Sequence, residues 1–283
     1  MDVTLTGTGS PVPYPGRGGT SVVLEIAGEP ILVDCGQLAV HRMLESRIDP
    51  SRIETLFFTH THVDHTADFF QFVIAGWSHG RDALTVYGPA GTEKFVDAID
   101  DLYGEDIAYR KWFAGIDEAP GVEDIDVVRT TSDLRVEREN WSATALPVEH
   151  SIETYAYRFE DADGNVCVIS GDTRKIDELA DFAAGADVLI QDACIGPVDP
   201  DPPADEDLLA SWTRPLSDEV VAKHKQNHCD PTDAGEIAAA AGVDTMVMTH
   251  HLPNRDFDAM QAEAEAVFDG EVLIAEDGLS LSL

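Results

Sequence analysis

Basic residues are scarce in this chain: Lys and Arg together number 18, only five of them lysine, against 54 Asp and Glu. No stripe of Lys and Arg of the kind that tracks a phosphate backbone is visible, so a nucleic-acid partner is disfavoured, though not excluded. No apolar stretch is long enough to span a bilayer, which argues against a membrane partner. The opening residues MDVTLTGTGS alternate like a strand and have neither the basic nor the apolar region of a secretory leader, so the expectation is a cytoplasmic protein. The four cysteines, Cys35, Cys167, Cys194 and Cys229, show no CxxC spacing. That spacing suggests neither a disulfide framework nor a thiolate zinc site, and the cysteines read as buried, reduced thiols. There is no short-period repeat and no low-complexity segment.

What remains is a chain of 283 residues, 43% hydrophobic, with enough apolar residues for a substantial core and a formal net charge of −36. The carboxylates are dispersed along the whole chain, as on a protein from a salt-loaded cytoplasm. Self-repulsion on that scale opposes compaction in dilute buffer, whereas near 1 M salt the Debye length falls to about 3 Å and most of it is screened. Fold and activity are therefore expected to need molar salt, as in a halophilic organism.

Strand-like runs recur at Val3–Thr6, Ser21–Ile26, Ile31–Val33, Thr55–Thr59, Leu84–Tyr87, Ser142–Val148, Tyr155–Phe159, Val166–Ser170, Val188–Gln191, Thr245–Thr249 and Val272–Ala275. Helical patterns lie between several of them, at Gln37–Arg47, Ala67–Ala75, Thr92–Leu102, Lys175–Ala183, Ala234–Ala241 and Phe257–Phe268. Thr92 is placed as an N-cap, Asp233 and Glu236 have capping-box spacing, and Gly242 stands where a C-cap glycine belongs. Ala162-Asp163-Gly164-Asn165 has hairpin-turn chemistry. The alternation implies a mixed α/β architecture, expected as one domain over residues 1–283. Gly104–Asp126 fits neither pattern. Gly196–Pro215 carries Asp199-Pro200-Asp201-Pro202-Pro203, which cannot be helix or central strand and reads as an acidic loop or lid near a site.

Directly after the apolar run Ile53–Phe58, His60-Thr61-His62-Val63-Asp64-His65 puts three imidazoles and a carboxylate within six residues. These are the ligands that zinc and related divalent ions prefer, and alternate residues at a fraying strand end can converge on one point. Three further candidates follow strand-like runs: His150, Asp172 and His250, the last with His251 as a rival. The C-terminal edge of a sheet is where open α/β folds bind ligands. Seven residues suffice for two metals. His60, His62 and His150 would serve one ion and Asp64, His65 and His250 the other, with Asp172 bridging. Two divalent ions about 3.5–4 Å apart hold a shared hydroxide, the nucleophile for hydrolysis near neutral pH. The donor set accepts zinc, manganese or iron.

These blocks, together with Leu5-Thr6-Gly7-Thr8-Gly9-Ser10, Val33-Asp34-Cys35-Gly36, Ser170-Gly171-Asp172-Thr173 and Met248-Thr249-His250, resemble the metallo-β-lactamase superfamily, and within it the ribonuclease Z and arylsulfatase-like branch. The resemblance implies an αββα sandwich, two mixed β-sheets flanked by helices, with the dinuclear site at one end and a homodimer as the assembly. It also implies roles for His228 as proton donor to the leaving group and for Asp192 as the carboxylate that orients it, alongside Asp64 as a catalytic ligand. His224 and His251 are left as surface or supporting residues.

The leading expectation is hydrolysis of a small-molecule ester, a phosphodiester or sulfate ester before a lactam. The alternative is a tRNA 3′-processing endonuclease. Against it stand the absence of the branch's Gly/Pro-rich basic arm and the replacement of its His-Glu pair by Gln191 and Asp192. A di-iron redox protein of the same fold would carry a carboxylate where this chain has His62. A non-catalytic, metal-stabilised binding module is the reading from another class, and the complete ligand set argues against it.

Overall fold

The computed structural model describes residues 1–200 and 217–283. Its strands are β1 (Asp2–Gly7), β2 (Ser21–Ile26), β3 (Glu29–Val33), β4 (Thr55–Phe57), β5 (Thr85–Gly88), β6 (Asp126–Arg129), β7 (Arg135–Glu137), β8 (Trp141–Val148), β9 (Thr154–Asp161), β10 (Val166–Ile169), β11 (Val188–Asp192), β12 (Thr245–Thr249), β13 (Glu271–Ile274) and β14 (Leu279–Ser282). They form two seven-stranded sheets, in the orders β14-β1-β2-β3-β4-β5-β6 and β13-β12-β11-β10-β9-β8-β7. Both sheets are mixed. β3 through β6 are mutually parallel, as are β10 through β13, while the remaining pairings are antiparallel.

The strand sequences explain the layering. In β2, Val22, Leu24 and Ile26 face the space between the sheets while Val23 faces outward, and in β10 Cys167 and Ile169 face inward while Val166 and Val168 face outward. With both faces apolar, each sheet must be covered on both sides, by the other sheet within and by helices without. The helices Ala39–Glu45, Phe69–Ser78 and Thr92–Ala114 cover the first sheet, and Asp177–Phe182, Pro231–Ala241 and Phe257–Glu265 cover the second. This is the expected αββα sandwich. Among the described residues no helix is long and apolar enough to cross a membrane.

Some local expectations are corrected. The pattern read as ending at Leu102 continues through Gly104 to Ala114, because Ile99 and Ile107 pack against the first sheet and outweigh the roughly 1 kcal/mol that an interior glycine costs. Thr92 is not the cap of that helix. Gly91, at φ +100°, holds the cap position, and the Thr92 hydroxyl donates to the Pro89 carbonyl. The Asp233/Glu236 capping box is not formed either. Asp230 caps the helix Pro231–Ala241 by accepting from the Asp233 N–H at 2.9 Å. Gly242, at φ +64°, does close that helix, and β9 and β10 do pair through the expected turn. Of Gly196–Pro215, residues 201–215 lie outside the described part, and Val198 bridges to Arg255.

Candidate active site

The strand directions decide where the chemistry collects. β10, β11 and β12 are parallel, and β8 runs the same way because β9, antiparallel to both β8 and β10, lies between them. Their C-terminal ends therefore deliver His150, Asp172, Asp192 and His250 to one edge. β4 delivers its following loop to the same place. That loop is not a fraying strand: β4 ends at Phe57, His62 stands at the N-cap of the short helix Val63–Thr66, and Asp64 and His65 lie within the helix. The close approach of neighbouring chain requires glycine at Gly36, where a Cβ would collide with the Asp64 carbonyl oxygen.

All seven expected ligands converge. His60, His62, His150 and Asp172 form one group and Asp64, His65 and His250 another, the donor atoms of each group lying within 4.8 Å of one another. In the first group His62 Nδ1 is 3.0 Å from His60 Nε2 and 3.2 Å from His150 Nε2, and Asp172 Oδ2 is 3.6 Å and 3.8 Å from those two Nε2 atoms. In the second, His250 Nε2 is 3.0 Å from Asp64 Oδ2 and 3.3 Å from Asp172 Oδ2, while His65 Nε2 is 3.4 Å from Asp172 Oδ1.

The outward hydrogen bonds fix which ring nitrogens face in. His65 Nδ1–H donates to Asp34 Oδ2 at 2.7 Å, and His150 Nδ1–H donates to the Asn227 carbonyl at 3.0 Å. Thr59 Oγ1 donates to Asp34 Oδ2, so it accepts from His60 Nδ1–H at 3.1 Å. His60 Nε2 and His150 Nε2 thus present lone pairs to one another across His62, whose single Nδ1 proton could satisfy only one of them. Asp64 Oδ1 and His65 Nε2 are buried with no hydrogen-bond partner. A buried concentration of lone pairs and carboxylate oxygens is what a divalent cation stabilises, so the donor set fits metal ions.

The electrostatics point the same way. Burial, then the neighbouring His65, push His60 well below the usual imidazole range. Burial opposes charge on His65 too, but Asp172, Asp34 and Asp64 outweigh it and hold its pKa well above that range. The carboxylates Asp34, Asp64 and Asp172 thus set a negative field at the second group, which a bound cation would compensate.

Asp192 and His228 meet beside this cluster. His228 Nδ1 is 2.9 Å from Asp192 Oδ2, and the His228 ring stacks on His250 with centroids 5.2 Å apart. Burial disfavours the imidazolium, but Asp192 outweighs it and raises the His228 pKa. His251 belongs to none of the donor groups found among the described residues and is not on the surface. It is 1% exposed and packs edge-on against Phe257, whereas the left-handed backbone of His250, at φ +64°, turns that side chain to the cluster. His224 is half-buried, its ring 5.8 Å from His228.

Asp34, Thr59 and Cys194 were not singled out from the sequence. Asp34 had the same signal as the recognised ligands, a carboxylate just past a buried apolar strand, and the Cys194 thiol lies among Asp192, His228 and His250.

The fold and this cluster define a metal-dependent hydrolase of the metallo-β-lactamase kind, and the chain belongs to the beta-lactamase superfamily, whose domain model matches residues 30–251. Its relatives include proteins named Ribonuclease Z. That of Mycobacterium marinum is 30% identical over 98% of this chain and 96% of its own length, and that of Mycobacterium bovis is 29% identical over the same shares. In fold, the chain is similar to the metallo-beta-lactamase fold protein YhfI from Bacillus subtilis, with a TM-score of 0.74, 22% identity and 99% of both chains covered. It is also similar to the short form of human tRNase Z, with a TM-score of 0.68, 22% identity, and 100% and 99% covered.

Proposed function

We propose that the protein is a metal-dependent phosphodiesterase, and that the 3′ end of a precursor tRNA is the first substrate to test. The observation that carries the chemistry is the convergence of His60, His62, His150, Asp172, Asp64, His65 and His250 beside the His228–Asp192 pair. The order of substrates differs from that expected on charge alone, because relatives that match nearly the full length of the chain are named Ribonuclease Z.

The seven side chains would hold two divalent ions, zinc being the proposed metal, which when bound make water acidic and stabilise negative charge on a phosphoryl oxygen. His60, His65 and His150 are held for that task by the partners of their Nδ1 atoms, so their Nε2 lone pairs need no reorganisation. Asp192, accepting from His228 Nδ1–H, favours the imidazolium and leaves Nε2 as the ring nitrogen that can pass a proton to the departing oxygen. A small phosphodiester is the second reading, favoured by the net charge of −36 and the lack of a basic stripe, both of which weaken a grip on RNA.

The test is turnover of a precursor tRNA with a 3′ trailer and of bis(p-nitrophenyl) phosphate, both in molar salt. His62→Ala and Asp64→Ala are expected to abolish both activities. His228→Ala is expected to slow tRNA cleavage about 100-fold or more, but to slow the aryl ester far less, because p-nitrophenolate leaves without a proton. Full turnover in either ligand variant would overturn the proposal.

A further inference from the structure

Asp192, Cys194, His228 and His250 form a third group of donors, all four residues buried, each offering one atom within 4.8 Å of the others. Only His250 is shared with the seven-residue cluster, and it faces two ways. Its Nε2 points to Asp64 and Asp172, while its Nδ1 makes no hydrogen bond and lies 3.4 Å from Asp192 Oδ1. His250 is 2% exposed, so this nitrogen is a buried, unpartnered donor directed into the group. Asp192 and Cys194 are anchored there by the backbone, since Asp192 Oδ1 accepts from the Cys194 N–H at 3.0 Å and Oδ2 accepts from the Thr173 N–H at 3.1 Å. Two imidazoles, a carboxylate and a thiol make a four-donor set for a thiophilic divalent ion.

We propose that this tetrad is a third cation site, selective for thiophilic ions such as zinc, cobalt or cadmium over magnesium or manganese, and that filling it inhibits the enzyme. On binding, the Cys194 thiol proton, the His250 Nδ1 proton and the His228 Nδ1 proton pass to solvent, leaving a thiolate, an imidazolate that the site shares with the seven-residue cluster, and a neutral His228 ring. The inhibitory half rests on the proton-donor reading of His228, whose ring is taken from its pairing with Asp192 when both bind the ion. The binding half does not depend on that reading.

Metal-free protein is titrated with cobalt in molar salt. After two equivalents, a third is expected to bring up a near-ultraviolet thiolate-to-cobalt charge-transfer band, and Cys194→Ser is expected to lose both that band and one equivalent of bound metal. X-ray absorption of wild-type protein carrying three equivalents of zinc needs no variant. It is expected to show a sulfur neighbour at about 2.3 Å that is missing at two equivalents. Saturation at two equivalents with no sulfur neighbour, or a band that survives Cys194→Ser, would overturn the site. Turnover of the precursor tRNA, whose leaving group needs a proton, is expected to fall about tenfold or more as the third zinc binds. A sulfur neighbour without that fall would overturn the inhibition and with it the role given to His228, leaving the site in place.

Discussion

Asp34 shows how much of the centre is decided by side chains that are not themselves ligands. Three donors converge on its two oxygens: the Thr59 N–H at 2.8 Å, the Thr59 hydroxyl at 2.7 Å and His65 Nδ1–H at 2.7 Å. An asparagine there would set an N–H against at least one of these donors. Under the proposed function Asp34 is a positioning residue, which would act on a bound metal through the His65 ring. Asp34→Asn is therefore expected to weaken metal binding about 10–100-fold, read by competition with a chelating dye, while the metal-free protein still folds. Metal affinity equal to wild type would show that His65 is oriented by the loop alone. Such residues were hard to find in the sequence because an aspartate past a strand is usually a turn residue. The converging donors were legible because His60, His62 and His65 crowd one short segment with Asp64, and because His150, Asp172 and the His250–His251 pair each follow a strand-like run. The choice of His250 over His251 was not legible: the two are adjacent, and only the positive φ of His250 decides which ring turns inward.

At the scale of elements, what could be read and what could not divide by packing. β2 and β8 alternate or run mostly apolar over their length and β12 carries a buried Met-Val-Met run between threonines, so their positions were evident from pattern alone. β6, β7 and β14 were missed. All three are short edge strands: β6 and β7 carry polar residues such as Asp126, Arg129 and Glu137, and β14, though it alternates Leu and Ser, does so over only four residues. Two helix starts were misplaced for a related reason, since several nearby residues can take the cap position, whereas the Gly242 end was read correctly. The helix Pro231–Ala241 follows His228 and Cys229 immediately, and its cap bears on the site. Asp230 accepts from the Asp233 N–H and pairs with Lys225 Nζ at 2.7 Å, holding the chain as it leaves the His228–Asp192 contact. Asp230→Ala is expected to cost about 1 kcal/mol of stability by denaturant unfolding in molar salt, and Asp230→Asn much less, because the amide oxygen can still cap. An equal loss in both would move the effect from the cap to the exposed pair with Lys225, which is worth little by itself.

The whole molecule is dominated by its charge. Most of the 54 carboxylates cannot be paired by 18 Lys and Arg, and the excess leaves a formal −36 on a chain whose sheets must close against each other. We propose that the surface is adapted to concentrated salt, since a field of one sign favours the expanded chain unless it is screened. Raising KCl from about 0.1 M to about 2 M shortens the Debye length from roughly 10 Å to below 3 Å, so neighbouring surface carboxylates cease to repel beyond contact distance. If screening restores several kcal/mol, the melting temperature should rise by about 10 °C or more. Sucrose, which strengthens burial without screening, is the control and should give a smaller rise. The same salt acts on the substrate question. Molar KCl weakens any hold on phosphates that depends on counterion release, so if tRNA is cleaved there, recognition must come from shape and base contacts rather than from charge. Cleavage of precursor tRNA in 2 M KCl with a KM close to that in 0.5 M would support such recognition. A KM that climbs steeply with salt while turnover of the small phosphodiester holds steady would favour the small substrate. A melting temperature unchanged across the salt range would remove the proposed salt adaptation and leave the KM comparison standing.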